Sequence, residues 1–202
     1  MEIKLSNTSK MPCHSYSLPA QACKTGSKLA KVPGSVCHGC YALKGFYRMN
    51  TVQAPRQANL ETLPEEGNAM AWIAWVADMS DKIESVEKSG YFRWHDSGDI
   101  QGKMHFAAIV LIANLLPNIK FWLPTKEKAI VSEYIACGYD IPKNLTVRVS
   151  SAMVDQQPIA RFENTCTVHQ KEPPYGIECP AYKQGGKCGE CRACWDKSIA
   201  NI

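Results

Sequence analysis

Hydrophobic and polar positions alternate regularly only in the middle of the chain, from about residue 51 to 155. Residues 68–88, 101–116 and 127–137 have the spacing of amphipathic or buried helices. In the first of these helices, the apolar residues near helical spacing are Met70, Ile73, Val76, Ala77 and Ile83. The large side chains expected in the core are Trp72, Trp75 and Met79.

Three short segments rich in β-branched and aromatic residues alternate with these helices. YFRW begins at Tyr91, IKFWLPT at Ile119 and LTVRVSS at Leu145. Strands that alternate with helices predict parallel strands joined by helical crossovers. The expected fold class is therefore α/β, with a parallel sheet like part of a (β/α) barrel.

Two arms without this periodicity flank the α/β centre. Residues 1–50 are rich in Ser, Lys, Pro and Gly and predict extended or looped chain, and residues 156–202 lose the pattern again. Both arms contain several cysteines. A length of 202 residues suits one domain, so we expect residues 1–202 to form a single domain with cysteine-rich arms.

The composition of the chain bears on the role of its ten cysteines. Apolar residues make up 45% and charged residues 21%, which is typical of soluble globular proteins. No apolar run approaches the roughly 18 residues of a membrane span, and the N-terminus lacks the apolar core of a signal peptide. We therefore expect a cytoplasmic protein with no membrane partner, in the host cell if the gene belongs to a phage. Clustered cysteines in a reducing compartment favour metal binding over disulfides.

The C-terminal arm has the most specific cysteine spacing. Eight residues separate Cys179 from Cys188, and two residues separate each of Cys188, Cys191 and Cys194 from the next. Successive C-x2-C steps aim thiolates at one centre, as iron–sulfur proteins do. A zinc site with four cysteine ligands is the alternative. We expect a closed [4Fe–4S] cluster here, or zinc.

The N-terminal arm carries a smaller group, Cys23, Cys37 and Cys40. Three thiolates would leave one iron of a [4Fe–4S] cluster open to a substrate or cofactor, as at catalytic metals generally. Alternatively, Cys13, Cys166 or a histidine completes a closed site. One cluster, two clusters, or one cluster shared by both arms are all compatible with the sequence.

Polar residues follow each predicted strand, where parallel α/β sheets place their chemistry. The candidate catalytic residues are Asp96, Ser97, Asp99 and Lys126, and the candidate cofactor-binding residues are Tyr41, His95, Arg148 and Ser150. If the strands are parallel, these side chains face one edge and line one pocket. The alternative is that the acids and serine cap the next helix and that Arg148 forms an ion pair.

Four segments, NTSKMPCHSYSLPAQAC, VCHGCYALKG, FRWHDSGDIQ and CGECRACW, resemble the phage and plasmid proteins of the gene product 88 family. CHGCYA also resembles the end of the cluster loop of radical S-adenosylmethionine (SAM) enzymes, in which an aromatic residue follows the last cysteine. That resemblance implies a partial (β/α) barrel and a [4Fe–4S] cluster whose open iron binds SAM. Only Cys37 and Cys40 match the loop well, because position 33 is proline and the nearest earlier cysteine is Cys23.

The function expected from these features is binding of one or two [4Fe–4S] clusters, in a radical-SAM-like or redox enzyme. Its partners would be a small-molecule ligand or an electron donor. The alternative is a zinc-binding module that contacts nucleic acid or regulates another protein. The net charge of +4 permits contact with nucleic acid but does not by itself argue for it.

Overall fold

The computed structural model describes residues 2–202. Six strands form one open sheet in the order β1-β2-β3-β4-β5-β6. The strands are β1 (Leu5–Asn7), β2 (His14–Tyr16), β3 (Tyr91–Trp94), β4 (Lys120–Thr125), β5 (Leu145–Ser150) and β6 (Thr165–Cys166). β1 runs antiparallel to β2, and every other neighbouring pair is parallel. The expected α/β class is confirmed.

Five helices accompany the sheet: α1 (Lys24–Leu29), α2 (Asn50–Thr62), α3 (Ala69–Val86), α4 (Lys103–Leu115) and α5 (Lys128–Ala136). The predicted helices and strands of the central region are confirmed as α3, β3, α4, β4, α5 and β5. The N-terminal arm was expected to be looped, and the structure instead contains the β1–β2 hairpin and α1. Helix α2 was not predicted. It contains Pro55 and buries the polar residues Arg56 and Asn59, so it lacks a clear apolar stripe.

The hydrophobic core lies between the helices and one face of the sheet. Phe92, Trp94, Phe121 and Leu123 alternate along β3 and β4 and are fully buried. The core residues of α3 are Trp72, Trp75, Val76, Met79 and Ile83. The expectation for Trp72, Trp75 and Met79 is confirmed, whereas Met70 and Ile73 are 74% and 57% exposed because they lie on the outer side of α3.

The C-terminal arm covers the opposite face of the sheet. Trp195 packs edge-on against Tyr91 and Trp122, with ring centroids 5.5 and 5.3 Å apart. Its indole nitrogen donates a hydrogen bond of 2.8 Å to the Phe92 carbonyl on β3. Sheet residues that point away from the helices are therefore buried by the cysteine-rich arm.

Candidate functional site

A cavity of about 440 Å³ lies at the carboxyl edge of the parallel strands. Three strand ends contribute polar residues to its lining: His95, Asp96, Ser97 and Asp99 after β3, Thr125 and Lys126 at the end of β4, and Ser150 on β5. Cys23, Cys37, Cys40 and Tyr41 of the N-terminal arm also line it. Parallel strands end at the same edge, which is why residues so far apart in sequence meet here.

The local chain geometry sets the positions of the three cysteines. Cys23 immediately precedes α1, and Cys40 donates its backbone N–H to the Cys37 carbonyl at 3.1 Å. Gly39, between Cys37 and Cys40, has a φ of +72°, which favours glycine in this turn. Burial, together with smaller effects of the neighbouring Asp99, Cys40 and Cys37, raises the pKa of the Cys23 thiol to about 12.

A small space beside Gly26 borders the thiols of Cys23 and Cys37. A Cβ atom at position 26 would lie 3.6 Å from the sulfur of Cys23 and 3.7 Å from the sulfur of Cys37. The missing side chain therefore leaves both sulfur atoms accessible from one point. Burial raises the pKa of the Cys37 thiol, and the positive charge of Lys126 partly offsets this effect. A soft donor set beside a cation fits an anionic, thiolate-bound cofactor.

Asp99 is the most firmly held acid of the cavity. Its carboxylate accepts hydrogen bonds from the Thr125 hydroxyl at 2.6 Å and from the backbone N–H groups of Lys126 and Ile100 at 2.8 Å. Burial raises its pKa to about 6, against the effect of these donors. The interaction fixes the end of β4 against the loop after β3.

Asp96 has structural partners. Its carboxylate pairs with the Arg56 guanidinium at 3.3 Å and accepts a hydrogen bond from the Ser17 hydroxyl. Its backbone carbonyl accepts the Tyr41 hydroxyl at 2.5 Å. Tyr41 in turn packs edge-on against Tyr47, with centroids 5.2 Å apart. These contacts hold the cysteine turn against the strand ends.

His95 and Ser97 have no such partners. Both residues are buried, and the two His95 ring nitrogens and the Ser97 hydroxyl make no hydrogen bond within residues 2–202. His95 has a φ of +54°, a conformation uncommon for residues other than glycine. Burial lowers its pKa well below the ordinary value, and nearby His105 and Arg93 lower it further. The His95 ring packs among aromatic side chains of the core, 5.4 Å from the His105 ring and 6.0 Å from the Tyr16 ring, and its nitrogens are closed off from the cavity.

Arg148 lies elsewhere. It does not line the cavity, and its guanidinium donates to carbonyls of the C-terminal arm, including Cys194 at 3.1 Å and Asp196 at 2.8 Å. Cys166 is also outside the cavity lining, with its sulfur 2.9 Å from the Ser150 hydroxyl. The structure therefore groups Ser150, but not Arg148 or Cys166, with the other strand-end candidates.

The C-terminal cysteines form a separate group on the arm-covered face. The charge of Cys179 raises the pKa of both Cys188 and Cys194, after the larger effect of burial, and Cys191 acts on Cys188 in the same way. Cys13, which the sequence did not assign, joins this group. Burial raises its pKa to about 12, with a contribution from Cys188.

Cys137 is exposed. The end of an apolar helix just before Gly138 is a position that favours a small buried residue, and the structure does not place the thiol so. Cys137 directly follows α5, whose last turn faces solvent, and it belongs to neither cysteine group.

In the described part of the chain, no three His, Cys, Asp or Glu side chains converge closely enough to hold a single metal ion. No helix of residues 2–202 is long and apolar enough to cross a membrane.

Sequence reasoning missed three residues that shape the site. Arg56 neutralises Asp96, and Glu127 accepts hydrogen bonds of 2.8 Å from the Thr25 N–H and hydroxyl at the start of α1. Arg93 lines the cavity while its charge also lowers the pKa of Cys13 and Cys194. The charged residue in the apolar run YFRW was the available signal for Arg93.

The fold and cavity define a class: an α/β protein with an open, mostly parallel sheet and a cysteine-lined cavity at its carboxyl edge. The model of the Gene product 88 family matches residues 2–197, so the chain belongs to this family. Neither a search of curated proteins nor a search of solved structures finds a significant match.

Proposed function

We propose that this protein binds a [4Fe–4S] cluster at Cys23, Cys37 and Cys40 and uses it in redox chemistry on a ligand in the adjoining cavity. The observation that carries the proposal is the shared lining: three thiols and the polar strand ends surround one space. A structural cluster would need thiols alone. The partly exposed polar residues Lys126 and Ser150, which line the same space, argue for a ligand as well.

A cluster and a zinc ion make different demands on the positions of the three thiols. Zinc–sulfur bonds of about 2.3 Å require the sulfurs of a tetrahedral site to converge on one point. In a [4Fe–4S] cluster each thiolate binds a different iron, so the thiols stand further apart.

The cavity residues would divide between cofactor and ligand. Lys126 and Arg93 supply positive charge to an anionic cluster, and the space beside Gly26 keeps two thiols accessible. A cluster would supply electrons, with an open iron as the contact to the ligand. Lys126 and Ser150 are partly exposed polar side chains of the lining and would orient a polar ligand. SAM is the first ligand to test, since the resemblance of CHGCYA implies it.

A second cluster at Cys179, Cys188, Cys191 and Cys194 is part of the same proposal. The effect of Cys179 on the pKa of Cys188 and Cys194 supports their grouping, and the Cys188 N–H donates to the Lys10 carbonyl at 2.9 Å. That contact ties the loop to the β1–β2 turn. A closed cluster here would stabilise the arm, because metal binding and folding share one free energy.

The test is to measure iron, acid-labile sulfide and zinc per chain on protein purified without oxygen, together with the visible spectrum. We expect brown protein with about four irons per cluster and matching sulfide. Colourless protein with stoichiometric zinc and no sulfide would refute the proposal. SAM is then titrated, and a change in the electron paramagnetic resonance spectrum of the reduced cluster reports its binding.

Paired variants assign the iron to each group. Cys37→Ala with Cys40→Ala should remove about four irons, and Cys191→Ala with Cys194→Ala should remove the other four. Cys137→Ala is the control, because this exposed thiol belongs to neither group. Equal iron loss from the control would show that the assay reads adventitious metal.

Gly26→Ala is a subtler test of the first site. The new methyl group would enter the space beside the two sulfurs, 3.0 Å from the Cys23 Cβ. Alanine is a better helix former than glycine, so the fold should not suffer. We expect less iron at the N-terminal site without loss of thermal stability in the metal-free protein. Unchanged iron content would show that this space is not used by the cofactor.

A further inference from the structure

The basic residues are concentrated in one part of the chain. Residues 3–60 contain eight Lys or Arg and no Asp or Glu. The rest of the chain contains the other 15 of the 23 basic residues and all 19 acidic residues. The net charge of +4 is therefore the sum of a strongly positive segment, residues 3–60, and a rest of the chain that is net negative. A charge asymmetry of this size indicates an anionic partner.

The positive charge lies beside the cavity. We define the rim segment as residues 23–49, which contain the three cavity cysteines. Its basic residues are Lys24, Lys28, Lys31, Lys44 and Arg48, and all five are exposed. None of them forms an ion pair within residues 2–202. The Lys44 ammonium lies against the cavity wall, 3.0 Å from where a Cβ on Gly39 would be.

The rim segment also exposes large apolar side chains. Phe46 is 82% exposed, Tyr41 is 58% exposed and Met49 is 51% exposed. Tyr41 lines the cavity and is held by its hydrogen bond to Asp96, so its ring is fixed at the opening. Exposed aromatic side chains among unpaired cations mark an interaction surface.

We propose that the rim segment binds single-stranded nucleic acid. Proteins that bind single strands combine a positively charged surface with aromatic side chains on which bases stack, and the rim segment has both. The lysines would contact phosphates, and the rings of Phe46 and Tyr41 would stack with bases.

The shape of the surface favours this partner over an anionic membrane. Peripheral membrane binding typically uses an amphipathic helix that lays a continuous apolar face on the lipid. Here Tyr41 and Phe46 lie on two short 3-10 turns, Tyr41–Leu43 and Gly45–Arg48, beside a concave cavity.

The experiment measures fluorescence anisotropy of a labelled single-stranded oligonucleotide of about 15 nucleotides, DNA or RNA, with the full chain as purified. A duplex of equal length and vesicles containing phosphatidylserine are the competing probes. We expect the single strand to bind most tightly. The slope of log K against log salt should be about −3 to −4, since five phosphate contacts contribute about −0.7 each.

Matched variants locate the surface. Phe46→Ala should weaken binding about 5- to 100-fold through lost stacking, whereas Tyr139→Ala, 60% exposed near the amino edge of the sheet, should not. Lys28→Ala with Lys31→Ala should reduce the salt slope by about 1.4. Lys88→Ala with Lys143→Ala removes the same charge just before β3 and β5, at the opposite edge, and should leave the slope unchanged.

Three results would overturn the inference: no binding of the single strand at low salt, equal or tighter binding of the duplex or vesicles, or equal losses in the rim and control variants. Iron and sulfide are measured on the same preparation, because Cys23, Cys37 and Cys40 lie within the rim segment. Protein purified without oxygen that holds neither iron nor sulfide but binds the oligonucleotide would refute the cluster proposal alone. Iron-loaded protein that binds no strand would refute this inference alone.

Discussion

Arg148 provides the sharpest test of how the C-terminal arm is held. Its side chain is only 1% exposed and faces the arm from β5. The guanidinium donates five hydrogen bonds of 2.8–3.4 Å to backbone carbonyls, those of Thr165, Ala193, Cys194, Asp196 and Ile199. It forms no salt bridge within residues 2–202, so carbonyl dipoles compensate its buried charge.

The substitution Arg148→Lys keeps the charge and removes the planar arrangement of donors. An ammonium has three N–H donors, so at least two of the five carbonyls lose their partner. A hydrogen bond to a charged group contributes roughly 1.5–3 kcal/mol. We therefore expect the free energy of unfolding to fall by about 3–5 kcal/mol, with some compensation from a repositioned lysine.

Urea unfolding followed by tryptophan fluorescence measures this loss, and limited proteolysis reports whether the arm detaches first. Arg161→Lys is the matched control, because Arg161 is exposed and should change stability by less than about 0.5 kcal/mol. If Arg148→Lys unfolds within about 0.5 kcal/mol of the wild type, the carbonyl contacts do not hold the arm and the reasoning fails.

Two further predictions concern the framework of the site. Gly98→Ala should destabilise the fold by several kcal/mol, because its φ is +81° and the new Cβ would lie 2.5 Å from the Leu18 Cβ. Gly138 has a similar φ of +84° with no atom nearby, so Gly138→Ala should lower the free energy of unfolding by only about 1–2 kcal/mol. Equal losses of unfolding free energy in the two variants, measured by chemical denaturation, would contradict the contact with Leu18. Burial raises the pKa of Glu87, but hydrogen bonds from Ser89 and His14 outweigh it and hold the pKa below its ordinary 4.5. Glu87→Gln should therefore destabilise the protein at neutral pH, and its deficit should shrink as the pH falls below 4.5, since wild-type Glu87 then becomes protonated. A deficit that stays constant across acid unfolding curves would show that the carboxylate is not the source.

Local patterns were sufficient for the central elements. The alternation in YFRW and KFWLPT predicts strands with one buried face, and Phe92, Trp94, Phe121 and Leu123 occupy it. The helical spacing predicts α3, α4 and α5 within two residues at each end. These signals are strong because one face of each element must be apolar to meet the core.

The β1–β2 hairpin and α2 were not predicted from the sequence, for a common reason. β1 and β2 have three residues each, and α2 buries Arg56 and Asn59 rather than an apolar stripe. Asn59 is buried because its side chain donates to the carbonyls of Lys4 and Ser17 at 2.8 and 2.9 Å. Elements that are stabilised by distant polar partners carry no periodic signal of their own.

The sequence by itself determined the α/β class, the central helices and strands, and the gathering of polar residues at one sheet edge, because these follow from periodicity and from parallel strands. Only the tertiary structure decided which residues share a site. It placed Cys23, Cys37 and Cys40 beside the strand ends in one cavity. It also placed Cys13 near Cys188 of the C-terminal arm, and it directed the Arg148 guanidinium to backbone carbonyls of that arm. Those assignments depend on contacts between segments more than 40 residues apart, and spacing along the chain does not encode such contacts.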